Sequence, residues 1–198
     1  MLVSPLVVAT QNPGKLKEFQ HHLSELSWDL QLMPSNLDVE ETGKTFMDNA
    51  CLKASQVAKH TGQWAIADDS GLEVAALNGA PGVYSARYGQ DDGDRIARLL
   101  RELGDTLQRS AQFVCAIALA RPDGTIVGQA EGVCSGEILY EMQGRGGFGY
   151  DPVFYVPSMG LTYAEMSKDQ KREISQRGRA IAQIIPQLQK LAVIAPAK

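Results

Sequence analysis

Two adjacent carboxylates, Asp68 and Asp69, follow an apolar run in the segment ADDSG, residues 67–71. Adjacent acids repel each other unless a cation lies near them, and Mg²⁺ prefers oxygen ligands and commonly accompanies substrate phosphates. The alternative is an Asx turn in which Ser70 acts as a cap. Because the acids directly follow a predicted strand, Trp64–Ala67, we favour a metal and ligand site in a loop at its carboxyl end.

A second candidate is the segment TQNPGK, Thr10–Lys15, which follows the β-branched run PLVVAT. It joins a predicted strand, Pro5–Thr10, to a predicted helix, Lys15–Leu26, and a helix N-terminus offers backbone N–H groups to an anion. Lysine is disfavoured in a first helical turn, so Lys15 indicates an anion nearby. The alternative is a simple Asn-Pro-Gly turn with a solvated lysine, since the spacing is not that of a P-loop.

Further charged residues surround a predicted helix at Thr45–His60. Glu40 and Glu41 precede it, where acids interact favourably with the helix dipole even without a ligand. Asn49 and Lys53 are four residues apart and therefore share one face of the helix. Lys53 is equally compatible with a solvated helix face.

The segment GRGGFGYDPVFYVP, residues 144–157, concentrates glycine before a predicted strand, Val153–Val156. Glycine loses much entropy on ordering, so such a run indicates unusual dihedrals or close approach by a ligand. A later segment, KDQKREISQRG, places Lys171 four residues before Ser175 on a predicted helix. A basic helix end of this kind binds a phosphate or a base edge, although a solvated basic face explains the spacing equally well.

The elements that would position these residues alternate between strands and helices, which predicts an α/β fold. Long loop character is predicted for residues 79–93, and residues 122–124 (PDG) predict a hairpin turn. The last helix is predicted to begin at Ser167 with a capping box to Gln170 and to end or kink near Pro186. The remaining predictions are a helix at Asp94–Leu103 and strands at Phe113–Ala120, Thr125–Gly132 and Ser135–Glu141.

The amino-acid composition disfavours some classes of function and indicates where the protein is located. The net charge of −4 argues against non-specific binding to a nucleic-acid backbone, which requires a basic surface. The three cysteines form no CxxC pair, which favours reduced thiols. No apolar stretch approaches the roughly 20 residues of a membrane span, and the start does not resemble a signal peptide, so a cytoplasmic location is expected.

In their order along nearly the whole chain, six segments resemble the inosine triphosphate pyrophosphatase family. They are TQNPGK, EETGKTFMDNACLKA, IADDSGL, GAPGVYSARY, GGFGYDPVFYVP and SKDQKREISQRGRA. The resemblance implies hydrolysis of non-standard purine nucleoside triphosphates (ITP, dITP, XTP) to monophosphate and pyrophosphate with Mg²⁺. It also implies a single elongated mixed α/β domain over residues 1–198, with flanking helices, two lobes around a central substrate cleft, and assembly as a homodimer.

The resemblance further implies a role for each matching residue. Asp69 would bind Mg²⁺ with Glu40 or Glu41, of which we prefer Glu41, and would also be the general base. The residues implied in substrate binding are Thr10, Gln11, Asn12, Pro13, Gly14, Lys15, Lys53, Ser70, Phe148, Gly149, Tyr150, Asp151, Lys171, Gln176 and Arg177. Phe148 would stack on the base, and Lys15 and Lys53 would contact phosphate. Lys171 would lie near the base pocket.

The chain departs from the family pattern at Gln176, where histidine is usual, and at Gln11, where glycine is common. Glutamine both donates and accepts hydrogen bonds but has no titrating ring, so base discrimination is the property at stake. Three other functions compete: a pyrophosphatase for pyrimidine or modified nucleotides, a nucleotide sensor without turnover, and a nucleic-acid binder. The acidic composition disfavours the last of these, and the acid pair with its lysines disfavours the sensor.

Overall fold

Seven strands form one mixed sheet in a computed structural model that describes residues 4–194. The strands are β1 (Ser4–Val8), β2 (Trp28–Leu32), β3 (Trp64–Val74), β4 (Ser110–Ala120), β5 (Ile126–Ile138), β6 (Phe154–Val156) and β7 (Leu161–Thr162). The helices are α1 (Pro13–His22), α2 (Phe46–Thr61), α3 (Asp92–Leu103), α4 (Lys168–Ile174) and α5 (Gln176–Ile194), with 3₁₀ turns at Ala75–Leu77 and Gly82–Arg87.

The strand order is β2-β1-β3-β4-β5-β6-β7. Strand β1 runs parallel to both β2 and β3, whereas β6 is antiparallel to β5 and β7. The α/β fold predicted from the sequence and the mixed sheet with flanking helices that the family resemblance implied are therefore confirmed. Parallel pairing of β1 with β3 ends at Val8 and Ile66, so β3 continues past the point where β1 leaves the sheet toward α1.

The chain divides into two compact units, and β3, β4 and β5 pass from one into the other. Within the described residues, unit 1 comprises 4–69, 116–132 and 178–194, and unit 2 comprises 70–115 and 133–177. The division in β3 falls between Asp69 and Ser70.

The buried apolar residues of unit 1 come from β1, α1, α2, the first half of β3, the second half of β4 and α5. Helix α2 begins as predicted at the N-cap Thr45, whose side chain accepts the Asp48 N–H in a capping box, and it stops at Gly62 in the left-handed region. Its apolar face buries Ala50, Ala54 and Val57 completely. This face fixes the helix register and so determines which polar side chains of α2 reach the sheet.

Unit 2 has its own hydrophobic cluster, in which Leu72 and Leu99 are fully buried. Phe113, Phe154 and Tyr163 stack and contact one another through their rings at centroid distances of 4.6–5.5 Å. This packing anchors the C-terminal end of the glycine-rich segment, because that end forms β6 and β6 pairs with β7.

The structure corrects the predicted limits of β3. Residues 68–71 do not form a loop after Trp64–Ala67, since β3 runs without interruption to Val74. The polar letters ADDSG predicted a turn, but pairing partners in the sheet and lysine partners for the acids outweigh that local preference. The acid pair therefore lies within a strand, just beyond the end of β1.

Other boundaries also differ. The two strands predicted at Thr125–Gly132 and Ser135–Glu141 are one strand, β5, whose alternating burial continues through residues 128–134. The strand β2 was not predicted, and α1 ends at His22 instead of Leu26. The segment predicted as a loop at 79–93 contains a 3₁₀ turn and the first residues of α3.

The C-terminal helix is interrupted earlier than predicted and ends later. The predicted capping box of Ser167 and Gln170 is present at the start of α4. At Ser175 the backbone becomes extended, with ψ 151°, and α5 begins at the next residue. Pro186 does not end α5, because Ile184 and Leu188 on either side are fully buried and hold the helix in place.

Candidate active site

The acid pair on β3 divides its contacts between two helices of unit 1. Successive side chains of a strand point to opposite faces, so Asp68 and Asp69 pair with different residues. Asp68 contacts Lys15 of α1, and Asp69 contacts Asn49 and Lys53 of α2. Both carboxylates are buried, with residue exposures of 2% and 9%, so these contacts are their principal compensation for lost water.

Lys53 lies between two carboxylates. Its Nζ is 2.7 Å from Glu41 Oε1 and 3.1 Å from Asp69 Oδ1. The carboxamide of Asn49, only 1% exposed, donates to Asp69 Oδ2 at 3.1 Å and accepts the Gly43 N–H at 2.8 Å. Asn49 thus ties the segment before α2 to the strand and orients the Asp69 carboxylate.

The anion that Lys15 contacts is a carboxylate of the protein itself, that of Asp68. Its Nζ lies 3.1 Å from Asp68 Oδ1, and the lysine side chain remains partly exposed while that of Asp68 is buried. The unusual lysine in the first turn of α1 is therefore explained by a carboxylate. A phosphate approaching the same helix N-terminus would meet a lysine already positioned there.

The cluster of Glu41, Asp68 and Asp69 with Lys15 and Lys53 carries one excess negative charge. Burial alone would lower the pKa of Lys53, but Asp69, Asp68 and Glu41 together raise it above its ordinary value. Burial raises the pKa of Asp69, opposed by Lys53, and Glu41 adds to the rise. Lys53 and Asp69 therefore both hold protons more tightly than in water, which is how a site lacking positive charge behaves.

The loop between β1 and α1 is held at several points. Thr10 is buried and its hydroxyl accepts the Asn12 N–H at 3.1 Å, while the Asn12 side chain is exposed. The side chain of Gln11 donates to the carbonyls of Ser35 and Leu37 at 3.4 and 3.0 Å. Pro13 and Gly14 form the first turn of α1.

In unit 2, the glycine-rich loop presents an exposed aromatic ring. Phe148 is 62% exposed, and the ammonium group of Lys171 lies 4.8 Å from its ring centroid. Asp151 is buried, accepts the Phe148 N–H at 2.9 Å and forms an ion pair with Lys171. Burial raises the pKa of Asp151, and the Lys171 charge opposes this rise.

Gly149 and Tyr150 have structural partners of their own. The Gly149 N–H donates to Asp92 Oδ2 at 2.7 Å. Tyr150 is 4% exposed within the core cluster, and its hydroxyl donates to the Ser85 carbonyl at 2.9 Å. Its ring therefore supports the loop from the interior of unit 2.

The Ser175 interruption between α4 and α5 buries the next two side chains. The hydroxyl of Tyr163 donates to the carboxamide oxygen of Gln176 at 3.2 Å, which leaves the amide nitrogen of Gln176 as a donor. Arg177 donates from Nη2 to the Ser70 hydroxyl at 3.2 Å. Ser70 directly follows Asp69, so this arginine contacts β3 one residue beyond the acid pair.

The structure thus brings the predicted residues into two groups. Glu41, Lys15, Lys53 and Asp69 form the cluster of unit 1, whereas Glu40 is exposed. The aromatic, acidic and basic residues of unit 2 surround the glycine-rich loop. Sequence reasoning missed Asn49 as a site residue, although its position four residues before Lys53 on one helix face was the available signal.

The donor set of unit 1 suits a hard divalent cation. Among residues 4–194, no group of three His, Cys, Asp or Glu side chains could hold a metal ion by itself. Glu41 and Asp69, however, converge on one cationic atom, Lys53 Nζ, which shows that both oxygens can reach a single positive charge. Two carboxylates suffice for Mg²⁺, which completes its shell with waters and phosphate oxygens.

An open cavity of about 570 Å³ lies elsewhere in unit 2. Glu73, Gln112 and Glu137 line it, and Gln112 donates to Glu73 at 2.8 Å. None of the predicted site residues contributes to its wall.

In the part of the chain that the structure covers, no helix is long and apolar enough to cross a membrane.

Comparison with known proteins gives consistent matches over nearly the full length. A sequence model of the Ham1 family matches residues 6–187. A dITP/XTP pyrophosphatase of Nostoc sp. is 62% identical over 183 residues, covering 92% of this chain and 93% of that protein. One of Synechocystis sp. is 56% identical over 182 residues, covering 92% and 94%.

Solved structures of Ham1 proteins also match this chain. The Ham1 protein of Staphylococcus aureus superposes with a TM-score of 0.87 at 44% identity, covering 94% of this chain and 99% of that one. A HAM1 protein from Coxiella burnetii gives a TM-score of 0.88 at 44% identity, covering 97% and 100%. The sheet and helices described above are therefore those of these proteins.

Proposed function

This chain belongs to the Ham1 family, and we propose that it hydrolyses the non-standard purine nucleoside triphosphates dITP, XTP and ITP to monophosphate and pyrophosphate. The family resemblance predicted from the sequence is confirmed by the match over residues 6–187. The relatives named dITP/XTP pyrophosphatase support this substrate class. Such a reaction would remove deaminated purines from the nucleotide pool.

The observation that carries the proposal is the position of Lys53 between Glu41 and Asp69. Two carboxylates focused on one cationic position, beside two lysines, are what the cleavage of a phosphoanhydride requires. Asp69, oriented by Asn49, would take the proton of the water that attacks the α-phosphorus. Burial raises the pKa of Asp69, which makes its carboxylate a better proton acceptor.

We propose Glu41 and Asp69 as the residues that hold Mg²⁺. Their oxygens lie within 2.7 and 3.1 Å of the same ammonium nitrogen, whereas Glu40 is exposed. When bound, the metal would supply positive charge to the phosphate oxygens and lower the pKa of a bound water. Lys53 would then turn from the carboxylates toward a phosphate oxygen.

The triphosphate would bind where α1 begins. Thr10, Asn12 and Lys15 lie there with the first N–H groups of the helix, which favour an anion. Lys15 would exchange Asp68 for phosphate and neutralise the charge that develops on the leaving pyrophosphate. Because Asp68 is buried and Lys15 partly exposed, the lysine is the partner able to move.

The base would bind in unit 2 on the exposed ring of Phe148. Base stacking on an aromatic ring contributes about 1–3 kcal/mol, and Lys171 and Asp151 provide a donor and an acceptor beside that ring. Gln176 presents its amide nitrogen because Tyr163 donates to its oxygen. A 6-oxo purine carries an acceptor at position 6, where adenine carries a donor, so a pocket of donors favours the former.

Release of pyrophosphate from a panel of nucleotides tests the proposal. We expect kcat/KM for dITP, XTP and ITP to exceed that for ATP by about two decades, the scale of a few unmatched hydrogen bonds, and GTP, CTP and dTTP complete the panel. Preference for a pyrimidine would instead identify a related pyrophosphatase of different base specificity. Binding without turnover of any nucleotide would indicate a sensor and overturn the proposal.

Dependence on Mg²⁺ is tested in the same assay by removing the metal with a chelator and restoring it. A homodimer and a cytoplasmic location stay predictions from the family resemblance and the sequence. Sedimentation of the purified chain at several concentrations would test the first.

A further inference from the structure

The glycine-rich loop is fixed by carboxylates at two consecutive backbone N–H groups. Asp151 accepts the N–H of Phe148 at 2.9 Å, and Asp92 Oδ2 accepts the N–H of Gly149 at 2.7 Å. Asp151 belongs to the loop region itself, but Asp92 comes from the first turn of α3. A residue distant in sequence therefore holds the backbone that carries the exposed Phe148 ring.

Asp92 is itself held in place by Arg95. Its second oxygen, Oδ1, accepts from Arg95 Nη1 at 2.6 Å, so the two carboxylate oxygens are divided between arginine and loop. Arg95 Nε is buried without a hydrogen-bond partner among the described residues. A buried donor without a partner lowers stability, so stability alone does not account for this arginine.

We propose that Asp92 is a positioning residue for base recognition, and that Arg95 orients it. By fixing the Gly149 N–H, Asp92 sets the direction in which the adjacent Phe148 ring faces the base. The inference rests on the proposed function, because it assigns a step in binding the purine of that substrate class.

A simpler role for Asp92 would be stabilisation of the helix N-terminus. That task is already performed by the N-cap Asp91, whose side chain accepts the Asp94 N–H at 2.8 Å. Asp94 lies in the same first turn and has the same charge, but its carboxylate accepts the Gln90 N–H and does not contact the loop. Asp94→Ala is therefore a matched control for the effect on the helix.

The test compares Asp92→Ala, Asp92→Asn and Asp94→Ala with the unmodified chain in dITP hydrolysis. Asp92→Ala should raise KM about tenfold, because the base loses part of the binding free energy that stacking on Phe148 contributes. The value of kcat should stay nearly unchanged. Asp92→Asn keeps an acceptor oxygen for the Gly149 N–H and should recover most of the affinity. Asp94→Ala should have the KM of the unmodified chain.

Amide hydrogen exchange of residues 146–151 provides a readout independent of turnover. Asp92→Ala should increase exchange at Gly149, whereas Asp94→Ala should not. Equal KM values for Asp92→Ala and Asp94→Ala, or unchanged exchange at Gly149, would overturn the inference. If the unmodified chain hydrolyses no dITP, the proposed function fails instead, and the exchange comparison still decides whether Asp92 holds the loop.

Discussion

Asp68 and Asp69 are neighbours on β3, yet each is paired with a lysine from a different helix of unit 1. Lys15 reaches Asp68 from α1, and Lys53 reaches Asp69 from α2, both at 3.1 Å. The strand geometry makes this separation unavoidable, since consecutive side chains face opposite ways. We expect each lysine that turns to a phosphate to leave a buried carboxylate in need of another cation, so nucleotide and metal should bind more tightly together than alone.

In the absence of metal, replacing Lys53 by methionine should lower the free energy of unfolding of the protein. Glu41 and Asp69 would lose the cation between them, and breaking a pair this buried costs about 3 kcal/mol. Mg²⁺ should then raise the melting temperature more in Lys53→Met than in the unmodified chain. Thermal unfolding with and without Mg²⁺ measures both effects, with the exposed Lys44→Met as the control. An equal Mg²⁺ effect in all three proteins would contradict the proposed metal position.

Replacing Asp69 by asparagine should reduce kcat far more than it changes folding, because Lys53 keeps its ion pair with Glu41 when the Asp69 charge is lost. A general base contributes about two to four orders of magnitude to the rate, so kcat should fall by that amount. The measurement is pyrophosphate release from dITP together with the urea midpoint of unfolding. Asp105→Asn, at an exposed position, serves as the control. Nearly normal kcat in Asp69→Asn would remove this residue from the reaction.

Replacing Phe148 by alanine should raise KM for dITP by about tenfold or more, because the base loses its stacking partner. The side chain is 62% exposed, so the melting temperature should hardly change. Leu107→Ala removes a side chain that is 91% exposed and should leave KM as it was. A KM for Phe148→Ala equal to that of this control would place the base elsewhere.

Replacing Gln176 by methionine keeps the size of the side chain and removes its amide donor. We expect the preference for dITP over dATP, measured as the ratio of kcat/KM values, to fall about tenfold, the effect of one lost buried hydrogen bond. Tyr163→Phe should reduce the ratio less, since it only releases the orientation of the carboxamide. An unchanged ratio in Gln176→Met would mean that other groups discriminate the base.

Replacing Asp151 by asparagine should change how stability depends on pH. Burial raises the pKa of Asp151 above its unfolded value of 3.8, so between the two values the folded state keeps a proton that the unfolded state has released. The free energy of unfolding of the unmodified chain should therefore fall with rising pH across this window, relative to Asp151→Asn. Urea unfolding at a series of pH values tests this, and an opposite slope would show that Lys171 outweighs burial.

Local sequence patterns predicted the parts of the fold that depend on local interactions. The predicted capping box of Ser167 and Gln170 starts α4, and α2 begins next to Thr45, where the predicted helix began. The continuation of β3 through Asp68 was not predictable in this way. It depends on pairing with distant strands and on a lysine from another helix, and neither partner is visible within a short window of sequence.

The same distinction applies to the candidate site. The spacing of Asn49 and Lys53 showed that they share a helix face, but only the structure shows which carboxylate they contact. Asp92 could not have been found at all, because its contact with Gly149 joins residues 57 positions apart. Residue types revealed the chemistry available to the chain, whereas the structure revealed which groups are neighbours.

The substitutions that position 147 accepts depend on Asp151. The φ of 75° at Gly147 disfavours any other residue, and a Cβ there would collide with Asp151 Oδ2, the oxygen that accepts from both Phe148 and Lys171. In a diverging lineage, a side chain at position 147 would both strain the backbone and displace Asp151, and losing Asp151 first removes the ion pair of Lys171. Each mutational path away from this glycine therefore passes through a protein with a damaged loop.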